Sequence, residues 1–579
     1  MIRRKLISLL STALLSVVII GCKSDNGELT IRIVETSDVH GHIFDTDHLT
    51  GEQRTGSFAK FSTFLSRVRK ENKNVIYVDA GDMLQGTIDD YQDQTAQFKR
   101  ASLPAEALSL LGCFATVMGN HDFAVGPPSY DRYFRNMKCP VLGANVFFKE
   151  PGDYLPAYRI REIKGVRIAF LGMTTTLVNV QLPRDRRELD LADMVETAKY
   201  WIPILKEQEE ADIIVGLLHS GYEGGRTEEG ITENAVRKLL SEVPGFDIIL
   251  YGHDHRARNS KVVDCNGDSV LLLNPGPFME KAAVATVTVA ADSEGNPIIM
   301  TQGELVDITG EIPDKHFIKK LKGWEKDLSA YADSVIGQIS EPLDAGNMLW
   351  ERSTMVDFIH TVQMSYNSAE VSLAVTDFTN PYIPAGDVKL RDMFGVYDHD
   401  NFMVSFNMKG SEIKTVLENS ASQFYNTVSD GQGGMLKTRR SQDGSVLPRR
   451  GVSSLVTAAG IDYEIDVTRP DGDKIRINCM CDGTPFNPEK MYRTTVNGNQ
   501  FTGTSLCRVI GITPKEMRGR LIISSPADIR FYMITRIALS READLTYSVP
   551  VMSHWKLVPQ DIVSGCLAKD TVGFNIMQK

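Results

Sequence analysis

Five short apolar segments of the chain each end in a cluster of aspartate, histidine or asparagine. The segments are rich in β-branched and aliphatic residues and are bounded by glycine or polar residues, which is typical of buried strands. They cover residues 30–35, 75–78, 114–118, 213–218 and 248–251. The stretches between them are long enough for helices. Alternating strands and helices predict an α/β fold built on a parallel type of sheet.

The polar clusters are the candidate chemistry of this chain. In a sheet of this kind ligands collect beyond the carboxyl ends of the strands, where all five clusters fall. A single buried histidine is usually a core residue, and Gly-Asn or Asp-Gly pairs are usually turns. Here, however, five of the 11 histidines lie in the clusters. The clustered residues are Asp38, His40, Asp82, Asn120, His121, Asp122, His219, His253 and His255.

These residue types suit hard or borderline metal ions. Carboxylate and amide oxygens with imidazole nitrogens favour Mn, Zn, Fe, Co or Mg over metals that prefer thiolates, and they leave the metal's identity open. Two divalent ions a few Å apart can hold both the attacking and the leaving oxygen of a phosphate ester. Gly81 next to Asp82 would allow the close approach that a bridging carboxylate requires. The pattern therefore predicts a two-metal phosphoesterase.

Length and helical patterning predict two domains. A chain of 579 residues exceeds what one core usually supports. Between the halves, apolar residues recur every three or four positions, which predicts one amphipathic linker helix. These residues are Phe317, Leu321, Trp324, Leu328 and Tyr331.

The clusters resemble the signature of the calcineurin-type metallophosphoesterases. The matching motifs are Asp38-x-His40, Gly81-Asp82, Gly119-Asn120-His121-Asp122, His219 and Gly252-His253-Asp254-His255. The wider sequence, from about residue 29 to 545, resembles the bacterial 5'-nucleotidase family. Within that family it resembles the bifunctional 2',3'-cyclic-nucleotide 2'-phosphodiesterase/3'-nucleotidases, chiefly over residues 233–247, 417–424 and 460–467.

The resemblance implies an architecture and a ligand set. We expect an N-terminal metallophosphoesterase β-sandwich flanked by helices (residues 29–310), a linker helix (314–336), a mixed α/β substrate-binding domain (337–547) and a tail (548–579). One ion would be held by Asp38, His40 and His255. The other would be held by Asn120, His219 and His253, with Asp82 bridging the two.

The resemblance also implies catalytic residues. His121 resembles the histidine that faces the phosphate, where it can stabilise developing charge or protonate a leaving oxygen. Asp122 is assigned with it as catalytic. Simple 5'-nucleotidases orient the histidine with an aspartate three residues later. This chain has Ala124 at that position. The cyclic-phosphodiesterase branch of the family also lacks the aspartate, so the difference favours that branch. The sequence does not show which residue orients His121 instead.

The second domain is expected to recognise the nucleoside, because family members hold the base there between two aromatic rings. Residues 497–503 resemble the loop that carries one ring, so Phe501 and Asn499 are candidate substrate-binding residues. The alternative for Phe501 is a packed residue at a strand edge. Phe424 and Tyr425 are candidates for the second ring.

The expected reaction is hydrolysis of 2',3'-cyclic nucleotides to 3'-nucleotides and then to nucleosides. A 5'-nucleotidase or nucleotide-sugar hydrolase is the close alternative. A non-catalytic nucleotide-binding lipoprotein is a further alternative, but such a protein should have lost at least one ligand.

The amino terminus resembles a bacterial lipoprotein signal. Three basic residues precede an apolar stretch over residues 6–20, which is too short to cross a membrane as a helix, and Gly21-Cys22 follows. We therefore expect residues 1–21 to be removed and Cys22 to be lipidated, which anchors an exported protein in the cell envelope.

Charge narrows the class of partner. The formal net charge is −11, and loss of the three basic residues in residues 1–21 would make it −14. Such an acidic chain is not expected to bind a nucleic-acid polymer through bulk positive charge. The expected partners are small nucleotides, and the protein is expected to be a monomer.

Overall fold

The computed structural model describes residues 28–570, apart from 96–99, 150–154, 182–188, 229–230, 292–296, 377–381, 398–400, 432, 441–445, 452–453, 499 and 501–503. The described chain forms two α/β domains joined by a helical linker, as the sequence predicts.

The first domain contains two six-stranded sheets that face each other. Its strands are β1 (Leu29–Thr36), β2 (Val75–Asp79), β3 (Ala115–Val117), β4 (Val141–Leu142), β5 (Val146–Phe148), β6 (Tyr158–Ile163), β7 (Val166–Thr174), β8 (Leu189–Leu191), β9 (Ile213–His219), β10 (Thr227–Glu228), β11 (Ile231–Thr232), β12 (Ile248–Tyr251), β13 (Arg258–Val263), β14 (Ser269–Asn274), β15 (Lys281–Ala291) and β16 (Pro297–Asp307).

The first sheet has the order β16-β15-β1-β2-β3-β4, and the second has the order β13-β14-β12-β9-β7-β6. The neighbours β1, β2, β3 and β4 are parallel, as are β14, β12, β9 and β7. Antiparallel strands flank each parallel block. The sheets are therefore mixed, and their parallel blocks carry the five predicted strands.

The helices of this domain cover the outer faces of the sandwich. They are α1 (Phe58–Glu71), α2 (Ile88–Thr95), α3 (Leu103–Leu111), α4 (Asn120–Ala124), α5 (Pro127–Asn136), α6 (Val178–Gln181), α7 (Met194–Pro203, continued by a π-helical turn at Ile204–Gln208) and α8 (Val236–Glu242). One apolar cluster lies between the sheets and includes Ile33, Val78 and Leu217. Separate clusters pack α1 and α3 on one side and α7 and α8 on the other.

The linker is two helices rather than the single predicted one. They are α9 (Lys315–Lys320) and α10 (Lys322–Ala332), and the helix is interrupted at Leu321, where φ is −99° and ψ is 8°. The predicted apolar stripe is nevertheless the buried one, because Phe317, Leu321, Trp324 and Leu328 pack into the core of the first domain. The spacing of apolar residues identified the buried face but not the interruption.

The second domain is built on a five-stranded sheet with the order β25-β19-β28-β22-β29 and a three-stranded sheet with the order β27-β26-β30. Its strands are β17 (Val335–Ile339), β18 (Leu343–Asp344), β19 (Val371–Ala374), β20 (Tyr382–Ile383), β21 (Gly386–Lys389), β22 (Phe402–Lys409), β23 (Thr438–Arg440), β24 (Val446–Pro448), β25 (Thr457–Ala459), β26 (Ile461–Asp466), β27 (Ile475–Met480), β28 (Met491–Asn497), β29 (Leu521–Asp528) and β30 (His554–Val558). Its helices are α11 (Thr354–Ser365, followed by a 3₁₀ turn at Tyr366–Ser368), α12 (Leu390–Phe394), α13 (Gly410–Phe424), α14 (Thr504–Ile510), α15 (Pro514–Gly519), α16 (Ile529–Glu542) and α17 (Gln560–Asp570).

The described part of the segment after residue 547, up to residue 570, belongs to this second domain. Strand β30 pairs in parallel with β26, and Trp555, Leu557 and Val563 lie in the domain core. In the part of the chain that the structure describes, no helix combines the length and apolarity that a membrane crossing would need.

Candidate metal centre

The site lies at one edge of the sandwich, where the carboxyl ends of strands from both sheets meet. The first sheet supplies Asp38 and His40 after β1, Asp82 after β2, and Asn120 after β3. The second sheet supplies His219 at the end of β9, and His253 and His255 after β12. The strand register places these ends side by side within each sheet. Thr36 pairs with Asp79 in the first sheet, and Leu218 pairs with Tyr251 in the second.

Two groups of side chains have the geometry of metal sites. One consists of Asp38, His40 and His255, and the other of Asp82, His219 and His253. In each group one ligand atom per residue lies within 4.8 Å of the others. The first group has the same members as the predicted set for one ion, and the second contains His219 and His253 of the predicted set for the other ion together with Asp82. Asn120, the remaining member of that predicted set, lies next to the second group, with its Oδ1 3.3 Å from His219 Nε2.

Asp82 lies between the two groups. Its Oδ2 is 3.1 Å from His219 Nε2 and 3.9 Å from His40 Nε2, while its Oδ1 accepts a hydrogen bond from the His121 backbone N–H at 2.9 Å. A carboxylate in this position can reach ions on both sides. The geometry therefore supports the predicted bridging position.

Hydrogen bonds on the far side of the His219 and His40 rings prepare these imidazoles for a cation. His219 Nδ1–H donates to the Ala80 carbonyl and His40 Nδ1–H donates to the Gln85 carbonyl, both at 2.7 Å. Each bond assigns the ring proton to Nδ1 and leaves the lone pair of Nε2 for a ligand. His40 Nε2 and His255 Nε2 lie 3.2 Å apart, as two nitrogens directed at one cation would. The donor set fits divalent ions.

Charge within the site reinforces this fit. Burial alone would lower the pKa of His219, but the Asp82 carboxylate raises that pKa to about 10. Burial would likewise raise the pKa of Asp82, yet the imidazoles of His219 and His121 hold it well below its usual range. A cation that binds at His219 Nε2 must therefore displace a proton, which makes metal affinity depend on pH.

Two glycines allow the loops that carry the ligands to approach one another closely, Gly252 between the two sheets and Gly119 within the first sheet. A Cβ on Gly252 would lie 1.8 Å from Ser37 Oγ and 2.5 Å from Asp38 Oδ2, and a Cβ on Gly119 would lie 1.9 Å from Asp82 Oδ1. Gly81 has a φ of +91°. The glycines that precede these clusters are thus required for packing around the carboxylates.

His121 lies beside the metal groups and is partly exposed. Its ring meets that of His40 edge-on, with the ring centroids 5.3 Å apart. Burial and neighbouring imidazoles lower its pKa to about 4, although the Asp82 carboxylate raises it, so the ring is neutral near pH 7. Its Nδ1 is hydrogen-bonded to Gln85 Oε1. The sequence had left this orientation unexplained.

Asp122, predicted to be catalytic together with His121, lies in the interior of the protein. Its carboxylate is fully buried and accepts backbone N–H bonds from Asp82, Met83, Leu84 and Gly119, at 2.7–2.8 Å. These bonds direct both oxygens into the protein. The catalytic assignment of Asp122 stays a prediction, and the contacts that the structure shows for this carboxylate hold the loop that carries Asp82.

Other supporting residues were missed by sequence reasoning. Glu233 Oε1 accepts a hydrogen bond from His253 Nε2 at 3.1 Å, which leaves Nδ1 of that ring for a ligand. Asp254 accepts the backbone N–H groups of Tyr222 and Arg256 and the Asn274 side-chain amide, which fastens the loop between His253 and His255. Glu233 begins one of the stretches that resemble the family, and this was the only signal for it.

The candidate substrate residues are only partly described. Asn499, Phe501 and the lipidation residue Cys22 lie outside the described residues. Phe424 and Tyr425, the candidates for a second aromatic ring, are both buried in the domain core, and the Tyr425 hydroxyl donates to the Leu349 carbonyl at 2.7 Å. Both rings are closed off by the core, so neither presents a face on which a base could stack, and that expectation is wrong.

Comparison with known families agrees with the two-domain architecture. The sequence model described as calcineurin-like phosphoesterase matches residues 31–257. The model described as 5'-nucleotidase, C-terminal domain, matches residues 335–510. Together they cover the metal-bearing domain and most of the second domain.

Individual relatives have low sequence identity to this chain, but the similarity extends over most of its length. The chain is 23% identical to the 2',3'-cyclic-nucleotide 2'-phosphodiesterase/3'-nucleotidase of Haemophilus influenzae, over 85% of this chain and 83% of that protein. It is 22% identical to the trifunctional nucleotide phosphoesterase of Bacillus subtilis over 92% of its own length, but it spans only 39% of that longer protein. A crystal structure of a Staphylococcus aureus protein assigned as a 5'-nucleotidase shares the fold, with a TM-score of 0.67, 19% identity, and coverage of 91% of this chain and 100% of the other.

Proposed function

Because this chain belongs to the 5'-nucleotidase family of calcineurin-like phosphoesterases and is a metal-dependent phosphoester hydrolase, we propose that it hydrolyses 2',3'-cyclic nucleotides to 3'-nucleotides and then to nucleosides. The observation that carries the hydrolase chemistry is the convergence of Asp38, His40 and His255 with Asp82, His219 and His253. The relative named as a cyclic-nucleotide phosphodiesterase supports the choice of substrate.

Two divalent ions bound at these groups would supply Lewis acidity toward a phosphate ester. Asp38, His40 and His255 would hold one ion, and Asn120, His219 and His253 the other, with Asp82 shared. Glu233 and the carbonyls of Ala80 and Gln85 keep three of the four ligand imidazoles in the required tautomer.

Hydrolysis adds one water across a P–O bond. The water oxygen bonds to phosphorus, the bond to the leaving oxygen breaks, and one water proton ends on that oxygen. His121 lies beside the ligand groups and its neutral ring has a free Nε2, so it is the candidate to take up the proton released by the water and to pass it to the leaving oxygen.

A panel of nucleotides tests the substrate. Release of phosphate and nucleoside is measured with 2',3'-cyclic AMP, 3'-AMP and 5'-AMP on the metal-loaded protein. We expect 2',3'-cyclic AMP to give a 3'-monophosphate and then adenosine, with 5'-AMP the poorer substrate by kcat/KM. A higher kcat/KM for 5'-AMP would identify a 5'-nucleotidase and contradict the proposed substrate, while the metal chemistry would stand.

Base recognition is proposed for Phe501 and Asn499 in the second domain. Stacking of one aromatic ring on a base contributes about 1–3 kcal/mol, so Phe501→Ala should weaken nucleotide binding by that amount. Hydrolysis of bis(p-nitrophenyl) phosphate, which has no base, should be retained. Equal losses on both substrates would place Phe501 in the core or at the metals.

Export and lipid anchoring are proposed from the amino-terminal sequence. Cys22→Ser should shift the protein from the detergent phase to the aqueous phase after phase separation in detergent. Unchanged partitioning would contradict lipidation at Cys22.

A further inference from the structure

Gln85 contacts two histidines of the site at once. It lies in the loop that follows β2 and carries Asp82, and the residue is 6% exposed. Its backbone carbonyl accepts from His40 Nδ1–H at 2.7 Å, and its side-chain Oε1 is hydrogen-bonded to His121 Nδ1. The next residue is held equally close, because a Cβ on Gly86 would lie 2.6 Å from His40 Cβ.

The contact with His121 specifies one arrangement of the ring. A carboxamide oxygen can only accept, so Nδ1 of His121 must carry a proton when it is bonded to Gln85 Oε1. The other ring nitrogen, Nε2, makes no hydrogen bond to any described residue. Nε2 is therefore the nitrogen available to a substrate. The backbone N–H of His121 is fixed as well, by its bond to Asp82.

Helix α4 itself offers no acceptor at the neighbouring position. Residues three apart on a helix lie side by side, so position 124 adjoins His121, and its alanine methyl group cannot accept a hydrogen bond. Among the described residues, the side chain that is hydrogen-bonded to the His121 ring is that of Gln85, which lies in a different loop. That loop also carries Asp82, so the histidine and the shared carboxylate are positioned by one segment.

We propose that Gln85 is the positioning residue of His121, and that its carboxamide sets the tautomer and direction of the imidazole toward the phosphate. This inference rests on the proposed function, in which His121 faces the scissile ester. A neutral carboxamide orients the ring without adding a negative charge to a site that must bind an anionic substrate. The backbone bond from Gln85 to His40 persists whatever side chain stands at position 85, so the two contacts of this residue can be separated by substitution.

A double-mutant cycle tests whether Gln85 acts through His121. Gln85→Met keeps the length of the side chain and removes its oxygen. In the metal-loaded protein we expect this change to lower kcat on bis(p-nitrophenyl) phosphate by on the order of 10–100-fold, as for other supporting hydrogen bonds, with little change in KM. In a His121→Ala background the same change should cost less than about twofold, because the ring that it positions is gone.

Three further measurements complete the test. Gln85→Glu keeps an acceptor oxygen and should retain most of the kcat that Gln85→Met loses. Bound metal per chain should be unchanged in Gln85→Met. Gln302→Met, at an exposed position on β16, is the matched control and should behave like the wild type.

The outcomes are decisive for the proposal. Equal losses from Gln85→Met with and without His121, or a loss of bound metal in Gln85→Met, would overturn it and assign Gln85 to support of the metal centre. Bis(p-nitrophenyl) phosphate contains no nucleoside, so the cycle can be completed even if the wild-type protein fails to hydrolyse cyclic nucleotides. That failure would contradict the proposed substrate and leave the role of Gln85 to be decided on its own.

Discussion

Five of the seven candidate ligands adopt a backbone conformation that residues other than glycine rarely occupy. Their φ angles are positive, at 50° for Asp38, 46° for His40, 59° for Asp82, 80° for His253 and 56° for His255. Such a conformation costs a non-glycine residue on the order of 1–3 kcal/mol, so it persists only where the surrounding structure enforces it. The packing of the two sheets therefore holds these side chains in fixed directions and reduces the entropy that is lost when an ion binds.

Replacement of Asp82 tests the two-ion hypothesis at the scale of a residue. Asp82→Asn keeps the size of the side chain and removes the negative charge between the ligand groups. We expect the metal content per chain to fall, because one shared anionic ligand is lost. We also expect kcat on bis(p-nitrophenyl) phosphate to fall by at least about 100-fold, the upper end of the loss for merely supporting groups. Metal content by mass spectrometry and kcat measure the two effects.

Asp561→Asn is the matched control, since Asp561 is exposed at the start of α17 in the second domain. It should retain both metal and activity. Similar losses at Asp82 and Asp561, or a full metal content in Asp82→Asn, would contradict the bridging role.

At the scale of elements, the loops that follow β2 and β3 are fastened together by Asp122. An asparagine at this position has one oxygen and cannot accept all four backbone N–H bonds. A buried donor without a partner costs about 1–3 kcal/mol, so Asp122→Asn should lower the free energy of unfolding of the first domain by about 2–4 kcal/mol. Urea unfolding of the wild type and of Asp122→Asn measures this difference in the free energy of unfolding. Unchanged stability together with a lost kcat would support the catalytic role that the sequence suggested.

In the second domain, α11 is fastened to the main sheet by His360. The Ser372 hydroxyl donates to Gln363 Oε1 at 2.6 Å, so His360 Nδ1–H donates to Ser372 Oγ at 2.8 Å. The Thr457 hydroxyl then donates to Nε2 at 3.0 Å, which requires a neutral ring. Burial agrees with this arrangement, because it lowers the pKa of His360 to about 4.

This buried histidine predicts a loss of stability in acid. Between about pH 6.5 and pH 4 the unfolded chain binds a proton at His360 that the folded protein does not, so stability falls as pH decreases through that window. One pKa unit corresponds to about 1.4 kcal/mol, so the contribution lost by pH 4.5 is about 2–3 kcal/mol. We expect the difference in unfolding free energy between wild type and His360→Asn to shrink by that amount from pH 7 to pH 4.5. A difference that is independent of pH would contradict the neutral buried ring, and His316→Asn, at an exposed position, is the control.

At the scale of the whole molecule, the two domains meet through a small apolar cluster. It joins α2 of the first domain to the end of α10 and to α12 of the second domain, and its buried members are Ile88, Tyr91, Ala332, Leu390 and Phe394. The rings of Tyr91 and Phe394 meet edge-on, with their centroids 5.3 Å apart. The Arg530 guanidinium lies over Phe394, 4.4 Å from the ring centroid. We therefore expect this cluster to contribute to holding the second domain against the domain that carries the candidate metal ligands.

Tyr91→Ala should loosen the connection between the domains. Loss of a buried aromatic side chain costs about 3–5 kcal/mol where the site cannot collapse. We expect faster proteolytic cleavage between the domains, followed by gel electrophoresis, and retention of hydrolysis of bis(p-nitrophenyl) phosphate. Tyr200→Ala, at a position 64% exposed on α7, is the matched control. An unchanged rate of cleavage would show that the cluster does not hold the domains together.

The sequence alone determined the elements that depend on local pattern. Runs of β-branched and aliphatic residues predicted strands at 30–35, 75–78, 213–218 and 248–251, and the structure has β1, β2, β9 and β12 there with ends within two residues. Prediction from local pattern was wrong where tertiary packing determines the backbone conformation. The linker's apolar spacing continues through Leu321, but the helix does not. The alternation of strands and helices also did not predict that antiparallel strands flank each parallel block.

For the site, the residue pattern supplied the kinds of ligand and the family resemblance supplied the expected groups, but only the tertiary structure brings the side chains of each group together. The aspartates and histidines could be identified from their clusters at the strand ends, because metal ions bind only a few types of side chain. Their grouping depends on two sheets whose strand ends meet across long separations in sequence, such as Asp38 with His255. The supporting contacts of Gln85, Glu233 and Asp122 are likewise set by the packing of separate loops. Residue type constrains what a side chain can bind, whereas its hydrogen-bond partners are fixed only when distant segments of the chain come together.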